Sequence, residues 1–291
     1  MDCPIGFYSS IGMNDMLEVL HFEFMRNALL AGLLVSVICG VVGTFVVVNR
    51  LAFLSGGIAH AAYGGIGLAF FLGLTYTLST LVFSILIAMI MAAVTLKARQ
   101  RSDTIVGVLW ALGMASGVIL LDLTPGYNVD LMSFLFGSIL AVPKSDLWMM
   151  LILCIVIIFI VTFLYNDFVA YSYDEEFARV RGVSVTFLHF LLLGMIAVSV
   201  VMIIRVVGLI LVIALLTIAP YIAESYSGSL RKMMLISILL NSIFTLVGLW
   251  LSYTFNLTSG ATIIMVAGFC FFISLMVERL RSKRLKLLKH F

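Results

Sequence analysis

The sequence predicts an all-α fold: a polytopic transmembrane helical bundle of about nine spans, with eight and ten as the neighbouring counts. Three observations predict it. The 291 residues are 63% hydrophobic. Only 11% are charged, against roughly 25% in soluble domains. Uncharged runs long enough for a crossing, which takes about 20 apolar residues, recur along the chain. A chain inside hydrocarbon must satisfy its own backbone hydrogen bonds, so these runs are helices; the alternating pattern of a membrane barrel is absent.

The elements follow in order. Residues 1–23 are mixed in character and lack the layout of a signal peptide; Met16–Phe24 reads as a short helix on the membrane surface. The first span covers about Asn27–Asn49, edged by Arg26 and Arg50. No charge occurs between Arg50 and Lys97, which makes room for two spans broken near Gly73–Thr77. Thr104–Leu121 is the fourth span, and Leu147–Asn166 the fifth. Between them, Leu131–Val142 is too short to cross and reads as re-entrant. A polar segment, Asp167–Gly182, precedes Val183–Ile204 and Val206–Ala223, two spans separated at Arg205. Met233–Val277 is uncharged and holds two more, broken near Asn256–Gly260. The chain thus divides into an N-terminal surface segment (1–23), a transmembrane domain (24–278) and a basic tail (279–291).

Charge placement orients the bundle. Nine alternating spans put Lys97, Arg99 and Arg101, then Arg231 and Lys232, then the tail from Arg279 to Lys289 on one side. Basic clusters beside spans mark the cytoplasmic face, so the C-terminus is expected inside. A formal net charge of +3 is too small to suggest a nucleic-acid partner. Cys3, Cys39, Cys154 and Cys270 are scattered, without a CxxC, and read as small buried hydrophobes rather than ligands or disulfides.

The chain contains no GxxxxGK[ST] to cradle ATP phosphates, no GxSxG and no HExxH. Carboxylates are nearly absent from the span centres, where ion-coupled carriers keep ionisable groups. No enzyme activity and no bound cofactor are expected; if the protein pumps, the energy comes from a partner chain. The second span is unusual. In LAFLSGGIAHAAYGGIGLAFFLG (51–73), His60 is the one ionisable group. At helical spacing Gly56, His60, Tyr63, Gly64 and Gly67 share a face, and glycines allow close helix approach. His60 is either a structural hydrogen-bonding group or a neutral imidazole that meets a borderline metal ion. His189, at the start of a later span, reads as structural. Asp122, Asn128 and Asp130 flank the outer loop; they read either as turn chemistry or as an acidic vestibule that attracts cations.

Several stretches, in order, resemble one family. They are MRNALLAGLLVSVICGVVGTFVVVNRLAFL (25–54), the helix around His60, DLMSFLFGSIL (130–140), DEEFARVRGV (174–183) and VVGLILVIALLTIAP (206–220). Together they look like the membrane permease of bacterial ABC importers for zinc, manganese and iron. The resemblance implies a multi-pass protein of the bacterial cytoplasmic membrane, working as a homodimer. It further implies an ATP-binding cassette subunit on the cytoplasmic side, an external metal-binding protein, and His60 on the metal path. Family members often carry Asp four residues before this histidine; here that position is Gly56, and Ala59 replaces a common serine. Imidazole without carboxylate suits zinc, whereas carboxylate oxygens suit manganese. The expectation is therefore a zinc permease. Permeases for manganese, iron or an iron chelate are the alternatives, and a stand-alone channel or secondary carrier is the reading from another class.

One segment carries local signals as well. Ser172-Tyr-Asp-Glu175 fits a capping box, Arg179 and Arg181 suit a helix C-terminus, and Gly182 suits a left-handed stop. A short cytoplasmic helix is expected over 173–181. Glu176-Phe177-Ala178, followed by Gly182, is similar to the EAA…G signature of coupling loops, which implies docking on the ATPase. Phe177, a lone aromatic on a charged helix, is the anchor this reading needs.

Overall fold

A computed structural model describes residues 22–97, 102–125, 137, 139 and 142–288. The described residues form helices and no strands. They are α1 (Glu23–Val48), α2 (Ala52–Leu72), α3 (Tyr76–Lys97), α4 (Ser102–Asp122), α5 (Lys144–Phe163), α6 (Tyr165–Tyr173), α7 (Glu175–Val180), α8 (Val185–Val207), α9 (Leu209–Tyr226), α10 (Leu230–Phe255) and α11 (Ser259–Leu288). Nine of them are long and apolar enough to cross a membrane. The exceptions are α6 and α7, inside the segment read as polar. Residues 1–21 and most of the 131–142 stretch lie outside the described residues.

The bundle is built around α1, α2 and α8, whose side chains are the most completely buried. Lipid offers no hydrophobic drive for one apolar helix to join another, so close packing and polar contacts must hold helices together. The α1–α10 seam uses both. A Cβ on Gly40 would come within 2.9 Å of the Ile238 backbone. Ser36 and Thr44 face Thr245 and Ser237 at 3.4 and 3.5 Å, while each also bonds a carbonyl one turn back in α1. Pro220 in α9 has no N–H for the Leu216 carbonyl. Gly43 of α1 lies directly against that carbonyl, and Asn241 of α10 donates to the adjacent Leu215 carbonyl at 3.2 Å.

The breaks between spans have local causes. Gly73 (φ 65) closes α2, and Asn256 (φ 53) closes α10 in the same left-handed conformation. The break between α8 and α9 falls at Gly208 (φ 82), not at the expected Arg205. Arg205 belongs to the last turn of α8, where it pairs with Asp146 of α5 at 3.3 Å and donates to Thr77 of α3 at 2.7 Å. A charge in a span was read as a boundary; it is instead a cation with partners on two neighbouring helices. Asp146 in the first turn of α5 and Arg205 in the last turn of α8 also complement both helix dipoles. At the same end, Lys144 pairs with Glu23.

Candidate functional site

His60 sits in the third turn of α2, the most completely buried of the spans. α2 runs alongside α4, and their closest approach is made by small residues. A Cβ on Gly113 would lie 2.7 Å from the Ala61 Cα, and Gly67 and Gly117 meet backbone to backbone. Gly113 and Gly117 are four residues apart, a small-xxx-small pattern that sequence reading passed over although its spacing is visible in the chain. On the other flank, a Cβ on Gly64 would come 2.5 Å from the Phe83 ring of α3, and one on Gly65 would come 2.7 Å from the Thr80 Cα.

This seam fixes the imidazole. The His60 ring stacks on the Trp110 ring of α4, with centroids 4.2 Å apart and planes 16° from parallel. The Trp110 indole donates to Met114 Sδ at 3.2 Å, which holds the stacking partner in place. Among the described residues the buried His60 Nδ1 has no hydrogen-bond partner, and neither has the buried Tyr63 hydroxyl one turn along. Buried polar groups are almost always satisfied, so two unsatisfied ones on a single helix face call for a ligand, water or partner. The expected glycine face is only partly tight. Gly64 and Gly67 are packed against neighbours, but a Cβ on Gly56 would meet only the tip of Ile213, at 3.9 Å. The crowded glycine at that level is Gly57, where a Cβ would lie 2.7 Å from the Val106 side chain.

The acidic residues do not join His60. Asp122 ends α4 in an exposed position, twelve residues beyond Trp110, or about 18 Å along a helix axis. Asp130 and Asn128 lie outside the described residues. Among the described residues no three His, Cys, Asp or Glu side chains converge to hold a metal ion. His189 is structural: its ring bonds Thr95 of α3 at 2.9 Å and Tyr171 of α6 at 2.8 Å.

The short helix is present with different caps. α7 covers Glu175–Val180, and its N-cap is Asp174, whose Oδ1 accepts from Phe177 N–H at 2.9 Å. Ser172 does not cap it. That residue belongs to α6, and its hydroxyl accepts from Asn49, the C-cap of α1, at 3.0 Å, so the capping box gives way to a tertiary bond. Glu175 pairs instead with Arg179 at 2.6 Å, one turn on. Gly182 (φ 80) stops the helix as expected. Its N–H bonds the Arg179 carbonyl and that of Val183 bonds the Ala178 carbonyl, both at 3.0 Å, the two-bond Schellman arrangement. Ala178 is fully buried against Ala170 and Val185, whereas Glu176, Phe177 and Gly182 face outward. Phe177 is 55% and Val180 is 89% exposed. The segment is thus fastened to its own bundle by alanine and presents its apolar side chains away from it.

Among the described residues, nine helices long and apolar enough to cross a bilayer, packed by small residues around a buried histidine, define a multi-pass helical membrane protein. The chain belongs to the ABC 3 transport family, whose model matches residues 21–278. It is 48% identical to an uncharacterized membrane protein of Synechocystis sp., over 94% of this chain and 98% of that protein. It is 31% identical to the manganese transport system membrane protein MntC of Listeria monocytogenes, over 89% of this chain and 92% of the other. Among solved structures it is similar to PsaBC from Streptococcus pneumoniae in complex with Fab. There the TM-score is 0.81 and the identity 30%, covering 90% of this chain and 95% of that one.

Proposed function

We propose that this chain is the membrane-spanning permease subunit of an ABC importer for divalent transition-metal ions. It forms the pathway and hydrolyses nothing; a separate cassette subunit supplies ATP hydrolysis. Two copies surround the path, and an external metal-binding protein delivers the ion. The positive-inside rule puts Lys97, α7, Arg231 and the C-terminus on the cytoplasmic side, and α7 is then where the ATPase docks. The observation that carries the reading is the α2–α4 seam. An ionisable side chain within the bundle of a membrane protein marks a substrate or ion path, and His60, stacked on Trp110, has an Nδ1 without a partner among the described residues.

Manganese is the leading cargo, on the strength of relatives named as manganese permeases. The expected zinc preference finds no support among them. Its one basis is local: Gly56 stands where an aspartate would complete an Asp–His pair one turn apart on the same face. Uptake by the chain reconstituted with its ATPase, with manganese, zinc and iron in competition, decides between the two. His60→Ala should abolish most uptake at limiting metal while insertion and assembly persist. Normal uptake by that variant would remove His60 from the path. Gly56→Asp has room for its Cβ and should strengthen manganese over zinc; unchanged selectivity would show that this position does not coordinate.

A further inference from the structure

A second feature is lined by no residue of α2 or α4. Between α1, α5 and α10 runs a lateral groove of about 470 Å3, inside the roughly 300–1,000 Å3 range of ligand pockets. Its walls are apolar almost throughout. Val41, Val161 and Met234 are buried at its floor, and the exposed Ile158 and Leu235 form its rim. The floor is set by the α1–α10 contact at Gly40 and Ile238 described above. Along α10 the lining residues Arg231, Met234, Leu235 and Ile238 follow the i, i+3, i+4, i+7 face. The groove therefore runs about 10 Å along that helix, from the end that carries the basic residues toward the middle of the span.

Its mouth is charged. The Arg231 guanidinium lies 4.3 Å from the centroid of the Tyr165 ring, which lines the groove from the first turn of α6. Stacking on an aromatic face holds a guanidinium in place and leaves its edge donors free for a planar or tetrahedral oxyanion. Among the described residues no carboxylate pairs with Arg231, and Lys232 beside it is also exposed. An apolar trough open to the side of a membrane helix bundle, capped at the interfacial level by an arginine without an acid, has the two halves of a phospholipid in the right order.

We infer that the groove between α1, α5 and α10 is a binding site for an anionic phospholipid, with an acyl chain along Val41, Val161 and Met234 and the phosphate on Arg231. A basic pocket between spans at the cytoplasmic interface is the recurrent form of such sites. The site is independent of the cargo, since it shares no side chain with the His60 seam.

Native mass spectrometry of the purified full chain in detergent tests this, with phosphatidylglycerol and phosphatidylcholine of the same acyl chains supplied together. The chain should retain phosphatidylglycerol about fivefold over phosphatidylcholine, the factor one basic residue contributes near anionic lipid. Arg231→Gln should reduce that preference to parity, and Arg231→Lys should keep most of it. Leu235→Trp, at the rim, should lower retention of both lipids while the charge stays. Excess inorganic phosphate should not displace bound lipid, because the acyl chain supplies much of the binding. Parity in the unaltered chain, an unchanged preference in Arg231→Gln, or displacement by phosphate alone would each overturn the assignment.

Discussion

The α2–α4 seam and the α6–α7 segment reach order by opposite routes. The seam is held by what α2 touches: backbone against backbone at Gly67 and Gly117, a Phe83 ring over Gly64, a Trp110 ring over His60. α7 has six residues and is held first by its own ends, Asp174 at one and Gly182 at the other, with only Ala178 buried. One region is defined by packing inside the chain and leaves the His60 Nδ1 and the Tyr63 hydroxyl without partners among the described residues. The other is defined by local hydrogen bonds and leaves Phe177 and Val180 exposed. A rigid seam suits a path that must place one ligand accurately. A self-capped helix with an outward apolar face suits a surface that a partner completes.

Substitutions at the glycines test that contrast most severely. Gly117→Leu drives a side chain into the Tyr63 carbonyl region of α2, where only a shift of the backbone makes room. The cost should be about 3 kcal/mol, at the top of the overpacking range. It should appear as a large fall in the thermal midpoint of the detergent-solubilised chain. If Gly117→Leu melts like the unaltered protein, the seam is looser than described.

Gly182→Val meets no neighbour, because nothing lies within 4 Å of the added Cβ. Its whole cost is the left-handed backbone, about 1–2 kcal/mol for a side-chain-bearing residue. The loss should be confined to α7 and visible as faster hydrogen exchange over residues 175–183, with the global midpoint nearly unchanged. A global fall would mean that α7 supports the bundle rather than riding on it.

Phe177→Ala removes exposed surface only, so stability should stay within about 0.5 kcal/mol. If α7 is the docking helix, ATP hydrolysis by the assembled complex should lose its response to metal delivery. Unchanged coupling would hand the role to the loop near Arg231. Gly56→Ala should have the smallest effect of all, neither on stability nor on assembly, since its Cβ is 3.9 Å from the nearest atom. A destabilised Gly56→Ala would show that the helix face is tight along its full length, as the spacing alone suggested.

What could be read before the structure follows the range of the interactions. The span count was legible because lipid imposes about 20 apolar residues on each crossing, whatever the neighbours. The C-terminal stop of α7 was legible because a Schellman motif is written within a few residues, from Ala178 to Val183. Its N-terminus was misread by two residues. Ser172 has the right chemistry for a cap, but Asn49, 123 positions away, holds its hydroxyl, and Asp174 takes the capping role. Gly113 and Gly117 carried a readable pattern, yet nothing nearby in sequence says that Ala61 and Gly67 are what they pack against.

The all-α membrane class, the order of the spans, the histidine of a glycine-rich helix and the stop of the short capped helix were all readable from the chain alone. Each depends on composition or on residues within a turn or two of one another. Which glycines are crowded and which are open, the stacking of His60 on Trp110, and the place of Arg205 inside a span are set by contacts between distant helices. The partners of Arg205 are Thr77 and Asp146, and Thr77 is 128 positions away. A charge reads as a boundary in sequence because burying it alone is costly. It sits inside a span here because the fold brings a carboxylate and a hydroxyl to it, and those contacts offset the loss of water.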